Sequence, residues 1–293
     1  MTNSAAEERL RDGFLGGASD EARMREVRSD RWISYPKAEV VLNEMERILA
    51  YPRNWRMPSL LVLGEAGIGK TQIDRKFARL HPPEICRERG RTTMPVISMQ
   101  MPPGVTQRIL YLTLLETLGV RHGVGRSMFE VKMQVLRLLR DLDVRVIVFD
   151  EIHNLLAGGF REQRKMLAEL RYLSNELMLS FVCFGTHDAQ EAFAGDPQLA
   201  RRFGLSELGA WDLDMDFVAL IATVLKSLPL RVPSTLGAEA LKAMIRLTRG
   251  NTARIFEMMG DLAVEAIRSG EERITDQHVE RWRPSLFERT LVS

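Results

Sequence analysis

Cysteine is nearly absent from this chain: Cys86 and Cys183 stand far apart, outside any CxxC or Cys/His spacing. That excludes a disulfide framework and gives no sign of a zinc site, and it makes a reducing compartment the expected one. Long apolar runs are missing too; none approaches the roughly 18 residues that span a bilayer. The opening MTNSAAEERLRDGFLGG carries acids where a secretory leader would carry an apolar core. No membrane partner and a cytoplasmic location, as in a bacterial cell, are therefore expected. Charge of one sign is also lacking. With 41 Lys and Arg against 39 Asp and Glu, the formal net charge is +2, so any nucleic-acid contact needs a local patch. Repeats and low-complexity tracts are absent.

What is present suits a sizeable core: 293 residues, 45% of them hydrophobic, allow one large domain or a main domain with a small one. Residues 1–30 are polar, mix acids with arginines and contain Gly16-Gly17, which reads as a flexible arm or short surface helix. From residue 31 the pattern changes. WISYPKAEVVLNEMERILAYP spaces Val40, Val41, Met45, Ile48 and Leu49 as an amphipathic helix that Pro52 ends. Four apolar runs then read as strands: PSLLVLG (58–64), MPVISMQM (94–101), VRVIVFDE (144–151) and LSFVCFGT (179–186). Amphipathic helices lie between them, near 105–119 and 127–142 and over REQRKMLAELRYLSNELM. Apolar strands alternating with helices imply an α/β fold, a parallel sheet flanked by helices on both faces. Past residue 212 strand signals stop, and helices near 214–228, 237–249, 252–269 and 275–283 make 213–293 a small helical domain.

The stretch GEAGIGKT, residues 64–71, lies between the first strand and a helix. Its Gly64-x4-Gly69-Lys70-Thr71 spacing satisfies the phosphate-loop signature in the context that signature requires. The cradle runs through Gly64, Glu65, Ala66, Gly67, Ile68 and Gly69 to Lys70, Thr71 and Gln72. Backbone N–H groups there and at the helix start face phosphate oxygens, Lys70 adds a full charge, and the Thr71 hydroxyl completes a magnesium shell. ATP and Mg2+ are the expected cofactors.

Asp150 and Glu151 close the strand VRVIVFDE, which carries them to the sheet's carboxyl edge. An aspartate there holds magnesium and its water, and a glutamate polarises the water that attacks the γ-phosphate. The next strand ends at Thr186, whose hydroxyl either orients water or caps the following helix. Arg201 and Arg202 follow DPQLA; phosphoryl transfer often takes an arginine from a neighbouring subunit, though an arginine pair is also an ordinary solvated feature. Arg254, in GNTARIFEMM, starts a helix of the small domain. His153 has no partner at metal or triad spacing and reads as structural.

Taken together, phosphate loop, DE strand end, polar strand terminus, Arg-Phe after a short helix and GN-x-x-R in a helical tail resemble the AAA+ P-loop ATPases. Within them, DEIHNLLAG and LRYLSNEL, with WISYPKAEVVLNEMERILAYPRNWRMPSLLVLGEAGIGKT, GTHDAQEAF and DPQLARRF, are similar to the TniB/TnsC-type ATPases of Tn7-like transposons over residues 32–283. GNTARI is closer to the form found in origin-recognition ATPases. The resemblance implies an AAA+ domain over 31–212 with a helical lid over 213–293. It further implies ATP hydrolysis, a ring or helical filament on double-stranded DNA, and handover to a DDE transposase and a TniQ-like adaptor. Carried over by motif, Lys70 and Thr71 bind phosphate and magnesium, Asp150 holds magnesium and Glu151 activates water. Thr186 is the first sensor and Arg254 the second. Arg202 is the preferred trans-acting finger, with Arg201 as its alternate.

DNA in related filaments lies along elements after the second strand, where this chain has Arg108, Arg121, Arg126 and Lys132. Tracking phosphates needs Lys or Arg but no base-edge readers. A solvated basic helix face has the same composition. A nucleotide-switched interaction module, such as a DnaC-like helicase loader or signalling ATPase, is the alternative reading. A small-molecule kinase fits less well with the Asp-Glu pair and the helical tail.

Overall fold

The computed structural model describes residues 17–30, 32–86, 90–121 and 125–283. The first part of the expected arm and the last ten residues of the expected helical domain lie outside them. The chain divides into two compact units, Lys37–Gly209 and a second one built from the described residues before Lys37 and from Ala210 onward.

Five parallel strands organise the first unit: β1 (Ser59–Leu63), β4 (Val96–Gln100), β5 (Val146–Asp150), β6 (Ser180–Gly185) and β7 (Phe203–Glu207), in the spatial order β4-β5-β6-β1-β7. A small antiparallel pair, β2 (Glu84–Cys86) and β3 (Arg91–Thr93), stands apart from the sheet. β1, β5 and β6 are buried at every position, which is why each reads as an unbroken apolar run rather than an alternating one. β7 behaves differently. It pairs with β1 on one side only, and its FGLSE sequence, half exposed and interrupted by glycine and serine, carries no apolar run for a sequence reading to catch. The β2–β3 pair is likewise short, three residues on each side, and carries no apolar run.

Helices cover the sheet: α2 (Pro36–Leu49), α3 (Lys70–Leu80), α4 (Gln107–Thr117), α5 (Met128–Asp141) and α6 (Phe160–Leu177). Leu110, Leu114, Val135, Leu139, Leu170 and Leu173 from α4, α5 and α6 pack with Ile97, Ile147, Phe149 and Phe181 into one continuous core. Chemistry in the sequence sets the helix limits. Ser127 caps α5 in a reciprocal pair with Glu130, and Thr106 caps α4. A 3-10 turn, Ile152–Ala157, follows β5, and the short α7 (Ala189–Ala194) and α8 (Pro197–Ala200) connect β6 to β7.

The second unit holds α1 (Asp20–Val27), α9 (Met215–Ser227), α10 (Ala238–Thr248), α11 (Thr252–Ser269) and α12 (Asp276–Arg281). The expected boundary at 212/213 lies close to the observed one, and of the expected flexible arm or short surface helix, Asp20–Val27 is a helix; residues 20–36 group with the C-terminal helices. Arg23 explains this. It is fully buried, and its guanidinium donates to Glu272 at 2.6 and 2.7 Å, to Asp20 at 2.6 Å and to the Pro229 carbonyl at 3.1 Å. The Arg23 hydrogen bonds hold the Glu272 carboxyl below its usual pKa. Tyr35 meets Trp211 edge to face, ring centres 5.4 Å apart. Trp211 in turn exchanges backbone contact with Gly250, whose φ of 66° and 2.8 Å acceptor bond leave no room for a side chain. Among the described residues no helix is long and apolar enough to cross a membrane.

Removing one member of a buried charge pair strands the other, so Arg23→Ala is expected to cost about 3–5 kcal/mol. Arg47→Ala, which breaks only an exposed pair with Glu44, is expected to cost less than about 1 kcal/mol. Urea unfolding of the two variants checks the contrast; equal losses would mean that Arg23 does not anchor α1.

Candidate functional site

Because β1 is buried along its whole length, it delivers Gly64 to the carboxyl edge of the sheet between β6 and β7. The Gly64 N–H donates to the Gly185 carbonyl at 3.1 Å, tying the start of the loop to the end of β6. Gly67 and Gly69 have φ of 76° and 103°, and α3 begins directly after Gly69. Those left-handed turns let the loop fold back over the first turn of α3, where the helix N–H groups gather at the dipole's positive end.

Lys70 is 7% exposed. Its ammonium donates to the carbonyls of Gly64 at 2.6 Å and Glu65 at 2.8 Å. Burial lowers its pKa, and Glu151, Asp150 and Glu65 draw it back up. A charge held by two neutral carbonyls has a stronger counterpart in phosphate oxygens. The Thr71 hydroxyl donates to Asp150 Oδ2 at 2.7 Å, joining two residues 79 apart in the chain. Asp150 Oδ1 accepts from the Glu151 N–H at 2.9 Å, and Glu151 itself turns off the strand with φ of 55°.

Thr186 stands at the end of β6, and its Oγ1 is buried without a hydrogen-bond partner. A buried hydroxyl left unpaired is costly, which marks the position as one that suits an additional ligand atom. The donor set therefore fits a nucleoside triphosphate with magnesium: a loop of backbone N–H groups, a buried ammonium, a hydroxyl–carboxylate pair for the cation and an orphaned hydroxyl. Lys70, Thr71, Asp150, Glu151 and Thr186 all come to this one edge.

Two further residues belong here that the sequence did not single out for this site. His153 places Nε2 3.1 Å from Glu151 Oε2, and its Nδ1 accepts from the Thr186 N–H at 3.4 Å. Spacing along the chain could not reveal it, because its two partners sit on different strand ends. Asp74, on α3 three residues after Thr71, is 5% exposed. Ser98 Oγ donates to its Oδ2 at 2.5 Å, while Oδ1 has no partner. Burial, with Asp150 adding to it, pushes its pKa from 3.8 to about 6.

Arg201 and Arg202 lie elsewhere. They precede β7, whose first residue pairs with Ser59 and whose last pairs with Leu63, so they sit at the amino edge of the sheet. The Arg202 carbonyl accepts from Ser59 N–H at 2.9 Å, and its guanidinium is 3.3 Å from Ser174 Oγ. Burial, then the like charges of Arg56 and Arg171, lowers its pKa. Arg254 occupies the first turn of α11 in the helical unit. Of the four candidate DNA contacts, Arg108, Arg121 and Arg126 are exposed. Lys132 is only partly so: its ammonium pairs with buried Glu169 at 2.7 Å and lies 3.9 Å from the Tyr172 ring centre.

The parallel β4-β5-β6-β1-β7 sheet, flanked by helices and carrying a phosphate loop after β1, defines an AAA+ P-loop fold. Solved structures agree. The ORC2 protein of Aeropyrum pernix, determined as ADPNP–ADP complexes, is similar at 16% identity with a TM-score of 0.61, over 88% of this chain and 70% of that one. Cdc6p of Pyrobaculum aerophilum follows at 17% and 0.60, over 85% and 67%. The Aeropyrum pernix ORC1 protein, solved in complex with DNA, is similar at 20% and 0.58, over 84% and 64%. No curated protein sequence matches this chain. Residues 23–213 match the family described as bacterial TniB protein, and the chain belongs to that family.

The Asp74 carboxyl takes up a proton more readily folded than unfolded. Its contribution thus favours the fold fully below pH about 4 and is lost as pH rises through about 6. In metal-free protein, Asp74→Asn is expected to gain on the order of 3 kcal/mol at pH 8 and nothing near pH 4. Urea titrations at the two pH values measure the difference, and a gain independent of pH would refute the assignment.

Proposed function

We propose that this chain is an ATP-hydrolysing regulator of DNA transposition in the bacterial cytoplasm, which assembles on double-stranded DNA as a ring or helical filament. Lys70, with the loop from Gly64 to Gln72, holds the phosphates; Thr71 and Asp150 hold magnesium. Glu151 takes the proton of the attacking water, Thr186 contacts the γ-phosphate, and Arg254 of the helical unit serves as the second sensor.

The observation that carries the oligomeric part is the separation of Arg202 from its own loop. The five residues of β7 (Phe203–Glu207) put about 13 Å between the two sheet edges. Arg202, with Arg201 as alternate, therefore serves the nucleotide of a neighbouring copy. Bound ATP favours assembly through that trans contact, and hydrolysis weakens it, so turnover governs disassembly.

Membership of the TniB family supports handover to a DDE transposase and a TniQ-like adaptor. The DNA-bound ORC1 relative supports a DNA-facing role. For that role Arg108, Arg121 and Arg126 supply the exposed charge, with Lys132 held back by Glu169 unless that pair opens.

A salt-titrated binding assay on duplex DNA tests the whole reading. ATP is expected to tighten binding, with log K falling linearly in log salt at a slope near −0.9 per phosphate contacted. Charge reversal of Arg108 and Arg126 is expected to flatten that slope. Lys70→Ala is expected to lose the ATP response, roughly tenfold or more in DNA affinity. Undiminished ATP-dependent assembly by Lys70→Ala at saturating nucleotide would overturn the proposal.

A further inference from the structure

His153 is an imidazole that bridges the ends of β5 and β6, and the sequence pattern reads it as structural. It lies in the 3-10 turn that leaves β5, between Glu151 on its own strand end and Thr186 on the end of β6. The turn is anchored independently: the Asn154 amide donates to the Met101 carbonyl at 2.7 Å, beyond the end of β4. Ile152 is fully buried in the core. The turn that carries the ring is thus tied to the core and to the end of β4.

The Thr186 contact sets which ring nitrogen accepts. A backbone N–H can only donate, so Nδ1, which receives the Thr186 N–H at 3.4 Å, carries a lone pair. In the neutral ring the proton then sits on Nε2, which faces Glu151 Oε2 at 3.1 Å. Glu151 needs one oxygen to receive a proton from water; Oε2 is held by the imidazole, and Oε1 has no hydrogen bond among the described residues. The same ring is joined to the residue whose buried Oγ1 has no partner.

We infer that His153 is a positioning residue that orients the Glu151 carboxylate and couples that orientation to Thr186, so that the base is aligned when the Thr186 hydroxyl finds its phosphate oxygen. His153 takes no part in the proton transfer; the proton of the attacking water goes to Glu151. The inference rests on the hydrolysis proposed above.

The test compares wild type, His153→Phe and His153→Gln by steady-state ATP hydrolysis, ATP affinity and thermal midpoint. Phenylalanine keeps the ring volume and removes both hydrogen bonds. Glutamine offers one acceptor and one donor, the pair that Thr186 N–H and Glu151 require. The expected result is a loss of roughly tenfold or more in kcat for His153→Phe, with ATP affinity and midpoint unchanged, and recovery of most of kcat in His153→Gln. A His153→Phe variant within twofold of wild type would overturn the inference. So would a loss of kcat and ATP affinity in parallel that glutamine does not rescue, which is the signature of a structural role. The tautomer gives a readout independent of turnover. Side-chain 15N spectra, with His153→Gln to assign the signal, are expected to show the Nε2–H form at neutral pH. An Nδ1–H form would overturn the bridge even if the chain hydrolyses nothing, whereas absent hydrolysis with the Nε2–H form would count against the proposed function alone.

Discussion

Parallel pairing of β5, β6 and β1 is the constraint on which the rest depends. Strands aligned in one direction must end on one edge, and the register places Asp150, Gly185 and Leu63 there in neighbouring rows. Groups drawn from residues 64 to 186 thereby converge, although nothing in their local sequence would bring them together. The Thr71–Asp150 and His153–Thr186 hydrogen bonds are consequences of that alignment, since each spans two strand ends. A sheet with one strand reversed would carry the same residues and no site.

The same geometry also separates. Because β7 runs parallel to β1, the residues that precede it emerge at the opposite edge from the loop that follows β1. Arg202 is drawn there among Arg56 and Arg171, where burial and like charge both disfavour its ionised form. Positive charge thus gathers at one edge of the sheet, and the loop after β1 stands at the other.

How much of this was legible in the sequence follows from burial. β1, β5 and β6 are covered on both faces, so their apolar runs declare them, and the helices between them show their faces at regular spacing. β7 stayed hidden because an edge strand with Gly204 and exposed Leu205 needs no apolar run. The loop and the Asp-Glu pair were readable because their chemistry is local in sequence. His153 and Asp74 were not, since their partners, Thr186 and Ser98, lie 33 and 24 residues away and only the folded sheet brings them near. Residues 20–27 looked like a solvated arm because arginine is rarely buried; the carboxylates of Glu272 and Asp20 make Arg23 an exception.

Division of the site between copies is the central claim, and a mixing experiment addresses it directly. Lys70→Ala removes the cradle from a subunit but leaves its arginines; Arg202→Ala does the reverse. Each variant alone is expected to be inactive in ATP hydrolysis on DNA. Mixed together, they are expected to recover activity, because a Lys70→Ala copy can lend Arg202 to the intact cradle of an Arg202→Ala neighbour. A mixture as inactive as its two components, or an Arg202→Ala protein with full activity by itself, would contradict the account.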